Sequence, residues 1–244
     1  EDTRTNLYAQ PRGVKRDGAT GANTFSWTSK YGSVVAAMYE IASVDGMNEK
    51  GLVANILYLA ESDYGKPDGS KPTISISLWA QYVLDQFATV AEAVEALRKE
   101  PFTIVAPVLP NGSPATGHLA ITDPTGDTAV FEYIEGKLHI HHGRQYQVMT
   151  NSPTFDQQLA INSYWDEIGG DVMLPGTNRA ADRFVRASYF MKAIPPTTDE
   201  TRAIATMFSV IRGVSVPLGI TTPGKPNISS TIWRTVQDAR NRTF

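Results

Sequence analysis

The sequence predicts an α+β fold in which strands come first and helices follow. Three observations carry this expectation. Leu52-Val53-Ala54-Asn55-Ile56-Leu57-Tyr58-Leu59 is a mostly apolar run of strand length, suited to a buried strand. Residues 116–149 break at Pro124-Thr125-Gly126-Asp127 and again at Glu135-Gly136-Lys137, as a hairpin meander does. Three later stretches, 154–168, 178–193 and 199–212, have helical length and spacing. Strands and helices segregated along a chain favour a layered α+β architecture.

The elements follow in order. Ser26-Trp27-Thr28-Ser29 leads into a β-patterned stretch from Ser33 to Glu40. Asp45-Gly46 is expected to make a turn and Gly51 a second break. Residues 61–73 form a loop rich in Gly, Pro, Lys and Asp, and a helical pair occupies about 75–99. Thr89 and Glu92 make a capping box ahead of the apolar stripe Val90, Val94 and Leu97. The meander is expected to run through His118–Asp123, Thr128–Ile134, Leu138–His142 and Tyr146–Thr150. Leu174-Pro175-Gly176 separates the first two late helices, and Ser230–Arg240 reads as a closing strand. With no low-complexity linker, repeat or charge block, residues 1–244 are expected to form a single domain.

Composition narrows the function classes. The 244 residues are 41% hydrophobic and 19% charged, an ordinary globular balance long enough to bury a core. A formal net charge of -3 gives no electrostatic reason to expect nucleic acid, which needs many Lys and Arg phosphate contacts. No apolar run approaches the ~20 residues that span a bilayer, and no membrane partner is expected. The acidic start Glu1-Asp2-Thr3-Arg4-Thr5-Asn6 is unlike a signal peptide's basic segment and apolar core. Zero cysteine excludes disulfides, thiolate metal sites and thiol catalysis within these residues.

The generic catalytic signatures are missing. There is no G-x-S-x-G elbow, H-E-x-x-H, phosphate loop or G-x-G-x-x-G, and Gly18-Ala19-Thr20-Gly21 is too short and lacks the lysine. His139 and His141 alternate on one strand face with His142 opposite, but no carboxylate is expected at matching phase, so they read as structural or solvated rather than as a metal pair. Asp123 to Asp127 lacks the ligand ladder of a calcium loop and reads as a hairpin turn. Asn151, in Thr150-Asn151-Ser152-Pro153, either makes a turn before Pro153 or offers its amide as a donor at a strand end. Arg179, Arg183 and Arg186 share one helix face, where solvated arginines paired with Asp182 or a Glu are the plain account.

Several polar blocks, in order, resemble the choloylglycine hydrolase family, which includes penicillin V acylases and bile salt hydrolases. They are Asp45-Gly46-Met47-Asn48-Glu49-Lys50-Gly51-Leu52, Gln147-Val148-Met149-Thr150-Asn151-Ser152-Pro153, Leu174-Pro175-Gly176, Asp182-Arg183-Phe184-Val185-Arg186-Ala187 and Trp233-Arg234-Thr235-Val236. The resemblance covers most of residues 1–244 and implies the N-terminal nucleophile fold, a four-layer αββα sandwich of two antiparallel sheets between helix layers. It implies a hydrolase of linear amide C–N bonds that uses no cofactor and no metal. In that family the N-terminal cysteine attacks the amide carbonyl, and its own α-amine, whose pKa is about 7.7–8.0 unperturbed, is the general base.

By the same resemblance three residues are catalytic. Asn151 matches the T-N-S-P asparagine that helps form the oxyanion hole, and Tyr58 matches the position whose backbone N–H supplies the other donor. Arg183 matches the arginine that tunes and orients the amine. Tyr58 also stands where bile salt hydrolases carry Asn, and residues 151–183 lack the long assembly loop of some members. Both favour a penicillin V acylase or N-acyl homoserine lactone acylase over a bile salt hydrolase.

The family's cysteine, and the Arg and Asp that follow it, would lie ahead of Glu1. The chain is therefore expected to be truncated at its N-terminus, and at Phe244 as well, and to be inactive alone. The expectation of another class is a catalytically inactive scaffold or binding fragment, which the loss of central strands would leave with unpaired sheet edges. Resemblance further implies a bacterial protein, a small-molecule N-acyl amide substrate, a homo-tetramer, and a periplasmic location with a cytoplasmic one as alternative.

Overall fold

The computed structural model describes residues 3–109, 112–220 and 230–244; Glu1 and Asp2, the acidic start, lie outside the described residues. The chain divides into two compact units. The first is Glu1–Tyr58, Ser62–Tyr146 and Gln237–Phe244; the second is Leu59–Glu61 and Gln147–Val236.

The first unit contains all the named strands. They are β1 (Asn6–Gln10), β2 (Lys15–Asp17), β3 (Ser26–Thr28), β4 (Ser33–Met38), β5 (Ala42–Asn48) and β6 (Val53–Leu57). β7 (Thr73–Ser75), β8 (Thr103–Val105), β9 (His118–Thr122), β10 (Thr128–Ile134) and β11 (Lys137–His142) follow. Seven of them form one sheet in the order β1-β4-β5-β6-β9-β10-β11, antiparallel throughout. β2–β3 is a small antiparallel pair and β7–β8 a parallel one. Together with five α-helices among the described residues this is the predicted α+β class, and the expected strands 118–123, 128–134 and 138–142 stand nearly as the sequence places them.

One face of the sheet is apolar. Ala54, Leu119, Ile121, Ala129 and Phe131 share a core with Trp79, Val83 and Leu84 of α1 (Trp79–Gln86) and Val90, Val94 and Leu97 of α2 (Val90–Leu97). Each large side chain removed from water there contributes about 1.5–3 kcal/mol. α2 starts as its sequence dictates: Thr89 Oγ1 accepts from the Glu92 N–H at 3.2 Å. The Glu92 carboxylate reaches back one residue further than a standard box, to the Ala88 N–H at 2.8 Å. The Val90 N–H is satisfied by Asp123 Oδ2 at 2.9 Å, which ties the β9–β10 hairpin to the helix start.

Asp45-Gly46 is not a turn but lies inside β5. Two things override the local turn preference. Asp45 is buried, with Asn55 Nδ2 donating to it at 2.7 Å and Gln237 Nε2 at 2.5 Å. At Gly46 a Cβ would sit 2.7 Å from Val35 Cγ1 and 2.9 Å from Leu84 Cδ1, so glycine is what lets α1 lie on the sheet. The turn comes at Glu49–Gly51, where Gly51 has φ +83° and a Cβ would strike the Ala239 carbonyl. Asn48 locks it: its Oδ1 accepts from the Lys50 and Leu52 N–H groups at 3.0 and 3.1 Å. Its Nδ2 donates to the Leu84 and Phe87 carbonyls, each at 2.8 Å.

Two expected strands are absent among the described residues. Tyr146–Thr150 is irregular because the chain leaves the sheet at Gly143, whose carbonyl, like that of Tyr146, lies within reach of the Thr128 hydroxyl (2.6 and 2.9 Å). Ser230–Arg240 has β-forming residues but no partner strand among the described residues; it carries an isolated bridge from Asp238 to Thr243 and a bond from the Thr231 N–H to the Val216 carbonyl at 3.0 Å.

The second unit contains α3 (Phe155–Ile168), α4 (Ala180–Ala193) and α5 (Glu200–Gly213), with α4 packed on both others. Phe155 and Phe184, both buried, meet edge to face at 5.9 Å and pin α3 to α4. α5 is capped by Asp199, whose carboxylate accepts from the Arg202 N–H at 3.0 Å.

Candidate active site

The Thr150-Asn151-Ser152-Pro153 block lies in the second unit, in a bend just ahead of α3. No strand leads into it; the block is held instead by side chains. Gln158, fully buried on α3, donates its amide to the Pro153 carbonyl at 2.6 Å and to the Asn151 carbonyl. The Thr150 hydroxyl lies 2.8 Å from Gln158 Oε1 and 2.9 Å from the Ala180 carbonyl at the start of α4, so its one proton serves two acceptors. Ser152 Oγ accepts from the Ala60 N–H at 2.9 Å and anchors the Leu59–Glu61 segment, which belongs to this unit.

Arg183 completes the arrangement. Its Nη2 donates to Asn151 Oδ1 at 2.8 Å and its Nε to the Asn178 carbonyl at 3.1 Å. A guanidinium only donates, so the atom of Asn151 facing it is the oxygen and the amide nitrogen is directed away from it. Neither Arg183 nor Arg186 makes an ion pair among the described residues, and Asp182 instead accepts from the Thr177 N–H at 3.1 Å. The three arginines do not behave alike: Arg179 is an exposed N-cap residue, while Arg183 and Arg186 are half-buried. Arg186 donates to the carbonyls of Pro175 and Thr177 at 2.7 and 2.9 Å. The account of solvated arginines paired with Asp182 or a Glu is therefore corrected for Arg183 and Arg186.

The electrostatics of Arg183 are unusual for a structural residue. Burial, and then the charge of Arg186, hold its pKa below the ordinary guanidinium value, although it stays charged near neutrality. It also sits in the first turn of α4, where the helix dipole is itself positive. Arg186 and the start of α4 thus add positive potential beside the Asn151 side chain, and burial weakens its screening. Such a spot suits a negative charge that develops only transiently.

Tyr58, the third expected site residue, belongs to the first unit. It directly follows β6 and is half-buried. Of the three, the structure brings Asn151 and Arg183 into contact. Gln158 and Ser152 carry no expected role in the sequence reading, yet both hold the block. The available signal is Gln158 itself, three residues after buried Phe155 and so on the buried face of α3.

The histidines have other engagements. His142 Nε2 lies 2.8 Å from Asp127 Oδ2, and His141 packs edge to face on Tyr146. Contrary to the expectation of no carboxylate in phase, the β10–β11 register sets Glu132 opposite His139. Glu132 Oε1 lies 2.7 Å from His118 Nδ1, both groups buried. Among the described residues no group of three potential ligands could hold a metal, and no helix is long and apolar enough to cross a membrane.

Known proteins are similar to the chain over most or all of its length. The family of linear amide C–N hydrolases, the choloylglycine hydrolase family, matches residues 1–244. A penicillin V acylase of Pectobacterium atrosepticum is 52% identical over 264 residues, covering 100% of this chain and 70% of that protein. The solved structure of a penicillin V acylase from Agrobacterium tumefaciens is 60% identical with a TM-score of 0.92, covering 99% of this chain and 74% of that one. A conjugated bile acid hydrolase variant from Clostridium perfringens is more distant, at 28% identity and a TM-score of 0.71, covering 88% of this chain and 72% of that one. The neighbours confirm the N-terminal nucleophile hydrolase fold expected from the resemblance, and the chain belongs to the choloylglycine hydrolase family of linear amide C–N hydrolases.

Proposed function

We propose that this enzyme is an acylase of the penicillin V acylase type, cleaving small N-acyl amides with apolar or aromatic acyl groups. The observation that carries it is the bond from Arg183 Nη2 to Asn151 Oδ1 at 2.8 Å, which turns the Asn151 amide into a directed donor. The choice of substrate class rests on the contrast between 52% identity to a penicillin V acylase and 27% to a bile salt hydrolase of Lactiplantibacillus plantarum.

The 244 residues contain no cysteine, so in this mechanism the nucleophilic thiol belongs to a segment outside them. The thiol proton passes to the α-amine as sulfur bonds to the amide carbon. The carbonyl oxygen becomes an oxyanion, for which the family resemblance nominates the Asn151 amide and the Tyr58 N–H as donors. Collapse breaks the C–N bond, and the ammonium proton goes to the departing amine. Water then attacks the thioester, releasing the acid and restoring the thiol. Arg183 supports this by disfavouring positive charge on the amine and favouring negative charge on the oxyanion. The tetrameric state and periplasmic location that the resemblance implies belong to the same proposal.

Intact mass and N-terminal sequencing of the native polypeptide, with initial rates on penicillin V, a conjugated bile acid and an N-acyl homoserine lactone, test it. The expected result is a cysteine-initiated segment and a preference for penicillin V. A native polypeptide that begins at Glu1 and still hydrolyses penicillin V would sink the cysteine mechanism. A preference for the bile acid would favour the other branch of the family.

A further inference from the structure

We propose that Gly117, clamped by the Tyr64 hydroxyl, is a positioning residue for the Leu57–Tyr58 peptide and sets the aim of the Tyr58 N–H. This rests on the proposed role of that N–H as an oxyanion donor, and every group in the argument lies in the first unit.

Gly117 presses on this peptide without a side chain between them. A Cβ there would lie 2.6 Å from the Leu57 carbonyl oxygen and 3.1 Å from Ile56 Cγ2. The oxygen cannot yield alone, because the Leu57 C=O and Tyr58 N–H belong to one planar unit. Whatever displaces the oxygen tilts the N–H on the other side of the same plane.

Gly117 is itself fixed from two sides. The Tyr64 hydroxyl accepts from the Gly117 N–H at 2.9 Å and donates to the Gly117 carbonyl at 2.8 Å, while the Ser62 hydroxyl donates to the same carbonyl at 2.8 Å. On its other side His118, the Cα partner of Leu57 in the β6–β9 register, is buried against Glu132. Tyr64 is buried, and its ring packs on Tyr133 at 5.7 Å, so its hydroxyl has little freedom. Burial also pushes the phenol's pKa up, which keeps the proton on the oxygen and the donor role intact. Ser62 and Tyr64 follow Tyr58 closely in the chain, so the residues that leave β6 return to brace its end.

The test compares Tyr64→Phe and Gly117→Ala with Asn151→Ala in the full-length enzyme, following phenoxyacetate release from penicillin V. Tyr64→Phe is expected to lower kcat about tenfold and Gly117→Ala about a hundredfold, the scale of a sub-ångström misplacement, with KM nearly unchanged. If Gly117→Ala does not fold, Tyr64→Phe decides. An active wild type that collapses in Asn151→Ala but keeps its kcat in Tyr64→Phe, with only a lower Tm, overturns the clamp and leaves the acylase proposal standing. A full-length wild type that hydrolyses no N-acyl amide overturns both.

Discussion

Asn151 Oδ1 accepts from Arg183 Nη2 at 2.8 Å, while the backbone carbonyl of the same asparagine accepts from Gln158. Side chain and main chain of one residue are thus held by different helices, α4 and α3. This dual hold accounts for a directed amide on an irregular segment, where a free bend would let the side chain rotate.

Arg183 acts through shape as well as charge. It spans from Asn178 O to Asn151 Oδ1 with two nitrogens of one rigid fork. Lysine retains the charge but cannot make both bonds. Arg183→Lys is expected to lower kcat by about tenfold to a hundredfold, and Arg183→Met further, on the scale of lost transition-state electrostatics. Steady-state kinetics checks this, with circular dichroism confirming the fold. Equal activity of the lysine variant would assign Arg183 charge alone.

Gln158 offers a sharper dissection. Its amide nitrogen serves the Asn151 and Pro153 carbonyls and its oxygen faces the Thr150 hydroxyl. Gln158→Glu keeps shape and the Thr150 contact, but sets a carboxylate against two carbonyls in a buried site. A loss of about 2–4 kcal/mol in stability is expected at pH 7, with partial recovery on acidification as the carboxyl becomes a donor. Urea unfolding at two pH values measures it.

Much of this was legible in the sequence, and the failures have a common cause. Strand and helix positions followed from periodicity, as at Thr128–Ile134 and 154–168, because burial of one face dictates it. The capping of α2 by Thr89 followed from purely local chemistry. Asp45-Gly46 misled because its turn preference is local while the partners that override it, Gln237 and Leu84, are distant in sequence. Tyr146–Thr150 and Ser230–Arg240 misled similarly: strand propensity cannot supply a neighbouring strand. At the candidate site, resemblance picked Tyr58, Asn151 and Arg183, whereas spacing from Phe155 puts Gln158 on the buried face of α3 without announcing its role, which exists only when α3 folds back on the preceding bend.

Asp123 should make the first unit acid-labile. Burial pushes its carboxyl up, yet hydrogen bonds from the Thr125 hydroxyl, the Val90 N–H and the Thr125 N–H outweigh this and hold its pKa below the ordinary value. A depressed folded-state pKa means its contribution is complete above the unfolded value of about 4 and is lost as pH falls through the folded one. Asp123→Ala is expected to cost about 2 kcal/mol at pH 7. Asp123→Asn should flatten the acid limb, so that wild type and variant converge near pH 2 in denaturant titrations. A constant gap across that range would show that the carboxylate charge contributes nothing.

Asn151→Asp separates the structural from the catalytic use of this residue. Aspartate keeps the acceptor that Arg183 requires and adds an ion pair to a guanidinium with no carboxylate partner among the described residues. Stability is therefore expected to hold or rise. The same change removes the amide donor and places negative charge where an oxyanion would form, so kcat should fall at least as far as in Asn151→Ala, about a hundredfold to a thousandfold. Thermal melts and kcat measured on both variants settle the matter. A stable Asn151→Asp enzyme with undiminished turnover would reduce Asn151 to a turn residue and leave the positive potential of Arg183 without the donor it is meant to direct.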